Sequence, residues 1–373
     1  MVAGEASGDL HGARLVEALN RLMPDLIVDG MGGAQMRKAG VNLLADAERT
    51  AVVGLTELWE KRRALWDALQ GLRRHMRTVR PALLICIDFP DFNLLLARTA
   101  HRLGIPVCYF ISPQVWAWRR GRIRTIRRVV KKILVLFPFE ETLYRDAGVD
   151  VTFVGHPLLD ALADVPPRES CRAALGIPEG SQVLGLLPGS RQAEVRRHLP
   201  ILLEAASRLA AARGDLRLLL GLAHTVDRQA VEAAVAASGL QVTVLPGRTH
   251  EVMRAADLLL AVSGTVTLEA AILGTPMIIT YRVAAFTWLL ARLLVRVRFA
   301  GLPNLVMNDR IVPELIQPDA TPARLAAAAE QILASPERQA QMRAALAEVR
   351  ARLGLPGATE RAAREVLALL PGS

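Results

Sequence analysis

Several features that would settle a function early are missing from this chain. Its 373 residues include only three cysteines, Cys86, Cys108 and Cys171. They show no CxxC or other metal spacing, so they read as small apolar residues in a reducing compartment. No apolar run is clean enough to span a bilayer: the best window, "VAAFTWLLARLLVRVRFAG" (283–301), is broken by Arg292, Arg296 and Arg298. There is no GxxxxGK[ST] loop, which excludes a Walker-A NTPase, and "GMGGAQ" (30–35) lacks the last glycine of the dinucleotide fingerprint. "HEVMR" (250–254) has no second histidine for a zinc-protease helix, and no GxSxG elbow is present. No secretory leader pattern opens the sequence, so the expectation is a cytosolic protein, at most peripheral to a membrane.

What is present begins with charge. Lysine plus arginine number 46 against 36 acids, a net charge of +10 with pI near 10.4. Such a balance suits nucleic acid, anionic lipid or phosphorylated substrates. The excess is almost all arginine spread from Arg14 to Arg364, which a high-GC genome also produces without functional demand. "WAWRRGRIRTIRRVVKK" (116–132) contains no acid, yet Ile123, Ile126, Val129 and Val130 recur at helical spacing. It reads as an ordinary helix with an arginine-rich outer face, and no nucleic-acid partner is needed.

At this length two domains are the natural expectation. Short β-rich runs alternate with helical patterns, which predicts parallel α/β domains. "ALLICID" (82–88), "PVCYFIS" (106–112) and "KILVLFP" (132–138) are the clearest strands of the first half. "VTFVGHPLLD" (151–160) reads as a connector, and the pattern restarts with "VLGLLPGSR", "LRLLLGLA", "QVTVLPG", "ADLLLAV" and "PMIITYR". Residues 1–160 and 161–373 are therefore expected to form two Rossmann-like domains facing a cleft, the second carrying a helical tail from Thr321. "MVAGEASGD" reaches a small-residue loop after only three residues, so the strand feeding it is nearly absent and the natural start is expected several residues upstream.

Open α/β sheets bind ligands at the carboxyl ends of their strands, so the strand-end loops are the candidate sites. In "LLPGSRQAEV", Gly189 and Ser190 turn into a helix N-terminus suited to phosphate, with Arg191 as a bidentate cation. Ser263, Gly264 and Thr265 repeat that arrangement, and Glu269, about one turn into the helix, suits a ribose diol. Each loop alone could be a plain βα turn; two together favour a nucleotide. Asp88, at the end of "ALLICID", is a candidate general base if partial burial tunes it. Asp91 and Asn93 read as helix-capping residues. His156, before a proline in the connector, reads as structural or as a residue where the halves meet.

The stretches "AGEASGD", "VVGLTEL", "IDFPDFN", "SPQVWAWR", "LFPFE", "FVGHPLLD", "LLPGSRQAEV", "SGTVTLE" and "GLPNLV" resemble, in order, the motifs of the bacterial lipid A disaccharide synthase family. That resemblance implies a GT-B fold and a metal-independent, inverting transfer of 2,3-diacylglucosamine from its UDP donor to 2,3-diacylglucosamine 1-phosphate (lipid X). No cofactor is implied, and the work is expected at the cytoplasmic face of the inner membrane. By motif, Asp88 matches the essential aspartate and Asn304 joins the UDP-binding residues. Gly4, Glu5, Ser7, Gly8, Asp9, Ser112, Gln114 and His156 fall on the acceptor side. Rival readings are another UDP-sugar GT-B enzyme, such as a murein glycosyltransferase or a UDP-sugar epimerase, and a non-catalytic basic protein. A homodimer stays open.

Acylated substrates call for a membrane-docking surface. Leu55, Leu58, Trp59, Leu65, Trp66 and Leu69 recur at roughly helical spacing among Arg62, Arg63 and other cations. An apolar stripe with tryptophans and a cationic rim fits an anionic lipid interface; a core-facing helix is the alternative.

Overall fold

A computed structural model describes residues 1–47, 57–113, 121–283, 288 and 298–371, with the backbone alone over 57–61. The chain divides into two compact units, Met1–Pro157 with Leu353–Ser373, and Leu158–Arg352.

The first unit is built on β1 (Val2–Ala3), β2 (Asp29–Gly32), β3 (Asn42–Asp46), β4 (Leu84–Ile87), β5 (Val107–Phe110), β6 (Lys132–Val135) and β7 (Val151–Phe153). They form one parallel sheet in the order β3-β2-β1-β4-β5-β6-β7. Helices α1 (Ala6–Leu22), α2 (Ala34–Lys38), α3 (Glu57–Val79), α4 (Pro90–Arg102), α5 (Arg122–Val129) and α6 (Pro138–Asp146) connect them. Central strands covered on both faces should be continuously apolar. "LICI" and "VCYF" are, with every residue buried. The apolar–polar alternation of a half-exposed strand is absent here because helices cover each face. α5 behaves as its pattern predicts: Ile126 and Val129 are buried while Arg124, Arg127 and Arg128 face outward.

The second unit opens with α7 (Leu158–Ala161) and α8 (Arg168–Ala174). It continues through β8 (Val183–Leu187), α9 (Gln192–Ala212), β9 (Arg217–Leu222), α10 (Arg228–Ala237), β10 (Val242–Pro246) and α11 (Thr249–Ala255). It ends with β11 (Leu258–Val262), α12 (Thr265–Ile272), β12 (Met277–Tyr281), α13 (Leu302–Met307) and β13 (Glu314–Ile316). The parallel sheet runs β10-β9-β8-β11-β12-β13. Helices α14 (Pro322–Leu333) and α15 (Pro336–Arg352) complete the unit.

The tail corrects the expected division. α16 (Ala358–Leu367) belongs with the first unit, where Ala362, Ala363 and Val366 pack among Leu15, Leu19 and Ile87. Helical character could not reveal this: the apolar face of α16 is satisfied by whichever sheet it covers. His156 backbone N–H donates to Leu353 O at 3.0 Å, and Arg361 Nε to Val154 O at 2.9 Å. The expected connector is thus β7 followed by a stitched return segment. Among the described residues, no helix is long and apolar enough to cross a membrane.

Candidate active site

Both sheets reverse strand order between two adjacent parallel strands, and there the outgoing loops diverge to leave a crevice. In the first unit the reversal lies between β1 and β4, paired Val2 to Cys86 and Ala3 to Ile87. The loops leaving them carry Gly4–Glu5 and Asp88–Phe89. In the second unit it lies between β8 and β11, paired Leu186 to Leu260 and Leu187 to Ala261. Pro188–Arg191 and Ser263–Gly264 leave from those two ends.

The first crevice is tightly built. Asp88 and Phe89 both have positive φ, 43° and 47°. Left-handed backbone costs a side-chain-bearing residue about 1–2 kcal/mol, and Pro90 further disfavours a compact conformation at Phe89. Phe89 lies over Gly4, where a β-carbon would come within 2.2 Å of its ring. That close approach, rather than a phosphate, explains the glycine. Asp88 is half-buried; burial and then the Glu5 carboxylate raise its carboxyl pKa, while the Phe89 N–H lowers it. Its carbonyl accepts from Tyr109 Oη at 2.5 Å and Asn93 Nδ2 at 2.8 Å.

Other residues expected on the acceptor side divide. Glu5 stands at the N-cap position of α1 without a capping side-chain bond and, with Ser7, is exposed; Gly8 is buried against Ala3. Asp9 turns inward, a correction: only 6% exposed, it accepts N–H bonds from Gly33, Gln35 and Met36 at 2.7–3.0 Å. It caps α2, a short helix whose own first residues offer no capping side chain. Ser112 is likewise buried, its hydroxyl donating to Glu140 at 2.5 Å. Gln114 lies outside the described residues. His156 is buried beside the Phe137 ring, and desolvation, then the neighbouring His11, press its pKa down to about 3, so it is neutral at pH 7.

The second crevice is open. Gly189 turns at φ 117°, and the Arg191 side chain is 80% exposed, with the Glu194 carboxylate at 3.3 Å its one ion-pair partner among the described residues. Glu194 also accepts from the Ser190 and Arg191 N–H groups at 3.4 Å, long bonds that an anion could replace. Ser263 Oγ donates to Ala300 O at 2.8 Å, and Thr265 opens α12 directly after Gly264. Glu269 faces His250, with Nε2 to Oε2 at 3.1 Å. His250 was missed because its stretch was weighed only as a metal motif, although it follows a strand as Arg191 does. Asn304 is a second correction. It is fully buried, and its amide is committed to Ile311, Val312 and Glu314 at 2.8–3.0 Å. It shapes the loop that Glu314 shares with Ala300 and Gly301 rather than reaching a nucleotide. No group of three or more metal-ligating side chains occurs among the described residues.

The expected docking helix is α3. Leu69 is 2% exposed inside the core with Leu72 and Met76, and Leu65 packs half-buried against it. Residues at i, i+4, i+7 and i+11 therefore form the inner face, which corrects the assignment of Leu69 to lipid contact. Trp66 is 58% exposed, and Arg62 and Arg63 are exposed. Leu55, and the side chains of Leu58 and Trp59, lie outside the described residues.

A sequence model described as lipid-A-disaccharide synthetase matches residues 1–368. The chain belongs to this family. It is 47% identical to a lipid-A-disaccharide synthase of Syntrophus aciditrophicus, covering 100% of this chain and 98% of that one. The synthases of Geobacter sulfurreducens (46%; 99% and 96% covered) and Myxococcus xanthus (43%; 100% and 97% covered) are similarly close. The activity is accordingly that of a glycosyltransferase of lipid A biosynthesis. Among solved structures, the chain resembles the S. aureus MnaA–UDP co-structure (TM-score 0.66, 12% identity, 99% and 96% covered). It also resembles the calicheamicin glycosyltransferase CalG4 (0.60, 15%, 99% and 96% covered). Identities that low establish the shared GT-B fold and nothing finer, so the epimerase resemblance does not compete with the synthase family.

Proposed function

We propose that the first unit holds the acceptor and the second the donor, in a transfer of 2,3-diacylglucosamine from UDP-2,3-diacylglucosamine to lipid X. The observation that carries this reading is the contrast at the two strand-order reversals: a half-buried carboxylate at one, an exposed arginine at a helix N-terminus at the other. Asp88 accepts the proton of the acceptor 6-hydroxyl as that oxygen bonds to the donor's anomeric carbon. The bond from that carbon to the UDP oxygen breaks, its electron pair leaves with UDP, and configuration inverts to a β-1,6 linkage. Arg191 and the start of α9 stabilise the charge gathering on the diphosphate. Ser263, Gly264 and Thr265 receive phosphate at α12, and Glu269, oriented by His250, receives the ribose.

Exposed Trp66 with Arg62 and Arg63 supports docking of α3 on an anionic lipid surface, which we assign to the cytoplasmic face of the inner membrane. The test is formation of the disaccharide 1-phosphate from the two purified substrates with EDTA present. Equal yields of disaccharide and UDP support the reading. No product from folded protein, or product only after a divalent cation is returned, contradicts it.

A further inference from the structure

The turn that carries Asp88 is held in a shape its own residues disfavour. Two consecutive non-glycine residues sit at positive φ, the second with ψ 56° immediately before a proline. Such conformations persist only where surrounding structure over-determines them, and they concentrate at functional sites. Three contacts do so here. The Asp88 N–H still donates to Phe110 O at 3.3 Å, continuing the β4–β5 ladder one residue past its end. The Asp88 carbonyl then turns inward to receive Tyr109 Oη at 2.5 Å and Asn93 Nδ2 at 2.8 Å. Asn93 Nδ2 also lies 3.1 Å from Ile87 O and 3.3 Å from Val2 O, so one amide ties the ends of β1 and β4 together across the crevice.

Both clamping side chains are fully buried. A phenol and an amide are poor choices for filling a core unless their polar atoms are needed. Asn93 makes the point more sharply, because its Oδ1 is buried with no hydrogen-bond partner. An orphaned acceptor is a cost that an apolar residue of similar size would avoid. The amide is explained by what its nitrogen does at Asp88.

We propose that Tyr109 and Asn93 are positioning residues, clamping the Asp88 carbonyl so that the left-handed turn aims the carboxylate at the acceptor hydroxyl. The inference rests on Asp88 being the base, and it adds a device that neither the sequence pattern nor the family match assigns. Tyr109 and Asn93 touch no substrate; they act through the backbone of the residue that does. The same turn keeps the Phe89 N–H against the carboxylate, so relaxing it changes both the direction and the acidity of the base.

The experiment compares Tyr109→Phe, which removes one oxygen and keeps the ring packing, with Leu96→Val, a core truncation on α4, the helix that carries Asn93. For each, kcat, both KM values, UDP affinity, melting temperature and the pH dependence of kcat are measured on full-length protein. Tyr109→Phe is expected to lose about tenfold in kcat with KM and UDP affinity unchanged. Its acidic limb should move to higher pH, because the carboxylate loses a hydrogen bond that stabilised its charged form. Leu96→Val should lower the melting temperature and leave the limb in place. Asn93→Ser, which withdraws the amide, should repeat the Tyr109→Phe pattern.

Unchanged kcat and limb in both clamp variants, with only melting temperature lowered, would overturn the proposal and make the pair purely structural. Asp88→Asn, run in parallel, separates the two readings. Near-normal turnover there removes Asp88 as base. An inert Asp88→Asn beside a fully active Tyr109→Phe removes the clamp alone.

Discussion

The two units share the same inner strand order yet make opposite use of it. In the first, the loops at the reversal are packed: Gly4 lies under Phe89, Asp88 is strained, and its carboxyl is pushed up by burial and by Glu5. In the second they are open: Arg191 is 80% exposed, and the Ser190 and Arg191 amides reach Glu194 only through long contacts of 3.4 Å among the described residues. A base that must hold a proton for part of the cycle benefits from limited solvent and fixed geometry. A diphosphate site instead needs donors that a large, mobile ligand can reach. One topology can serve both because the reversal supplies the crevice and the loop residues decide how wet and how rigid it is.

The comparison can be broken most forcefully at the packed site. Asp88→Asn should lower kcat on the order of a thousandfold or more, since a positioned base typically contributes that much. At the open site, Arg191→Ala should cost roughly a hundredfold in kcat, the scale expected for losing one donor to developing charge. UDP inhibition should weaken with it. Asp9→Ala should spare chemistry and instead lower stability by roughly 1–3 kcal/mol in denaturant unfolding, because three N–H groups at α2 lose their acceptor. A loss of turnover per folded molecule would return Asp9 to the acceptor site. The smallest effect belongs to Glu5→Gln. Glu5's negative charge favours protonated Asp88, so its removal lets the basic form survive to lower pH and moves the acidic limb of kcat downward.

The strongly patterned elements were legible without coordinates. Residues 82–88, 106–112 and 132–138 contain β4, β5 and β6, and the tail is helical. β2, "DGMG", was not: two glycines and no β-branched residue carry little strand preference, and the sheet forms it by pairing with β1 and β3. β7 was hidden in the connector because three residues at a sheet edge leave no periodicity to read. The site loops were found for a sound reason, since small residues at strand ends are visible in sequence. The direction of individual side chains was not. Asp9 and Asn304 are polar, lie in recognisable motifs and point into the protein, where Asp9 meets backbone N–H groups 24 to 27 residues away and Asn304 meets backbone groups 7 and 8 residues away and the Glu314 carboxylate. Leu69 misled for a related reason: an apolar stripe does not say whether it meets the core or a lipid surface.

The most direct test of the division of labour is a titration of UDP into the wild type, Asp88→Asn and Arg191→Ala. The account predicts wild-type affinity in Asp88→Asn despite its lost turnover, and clearly weakened affinity in Arg191→Ala. Weakened UDP binding in Asp88→Asn together with unchanged binding in Arg191→Ala would contradict it.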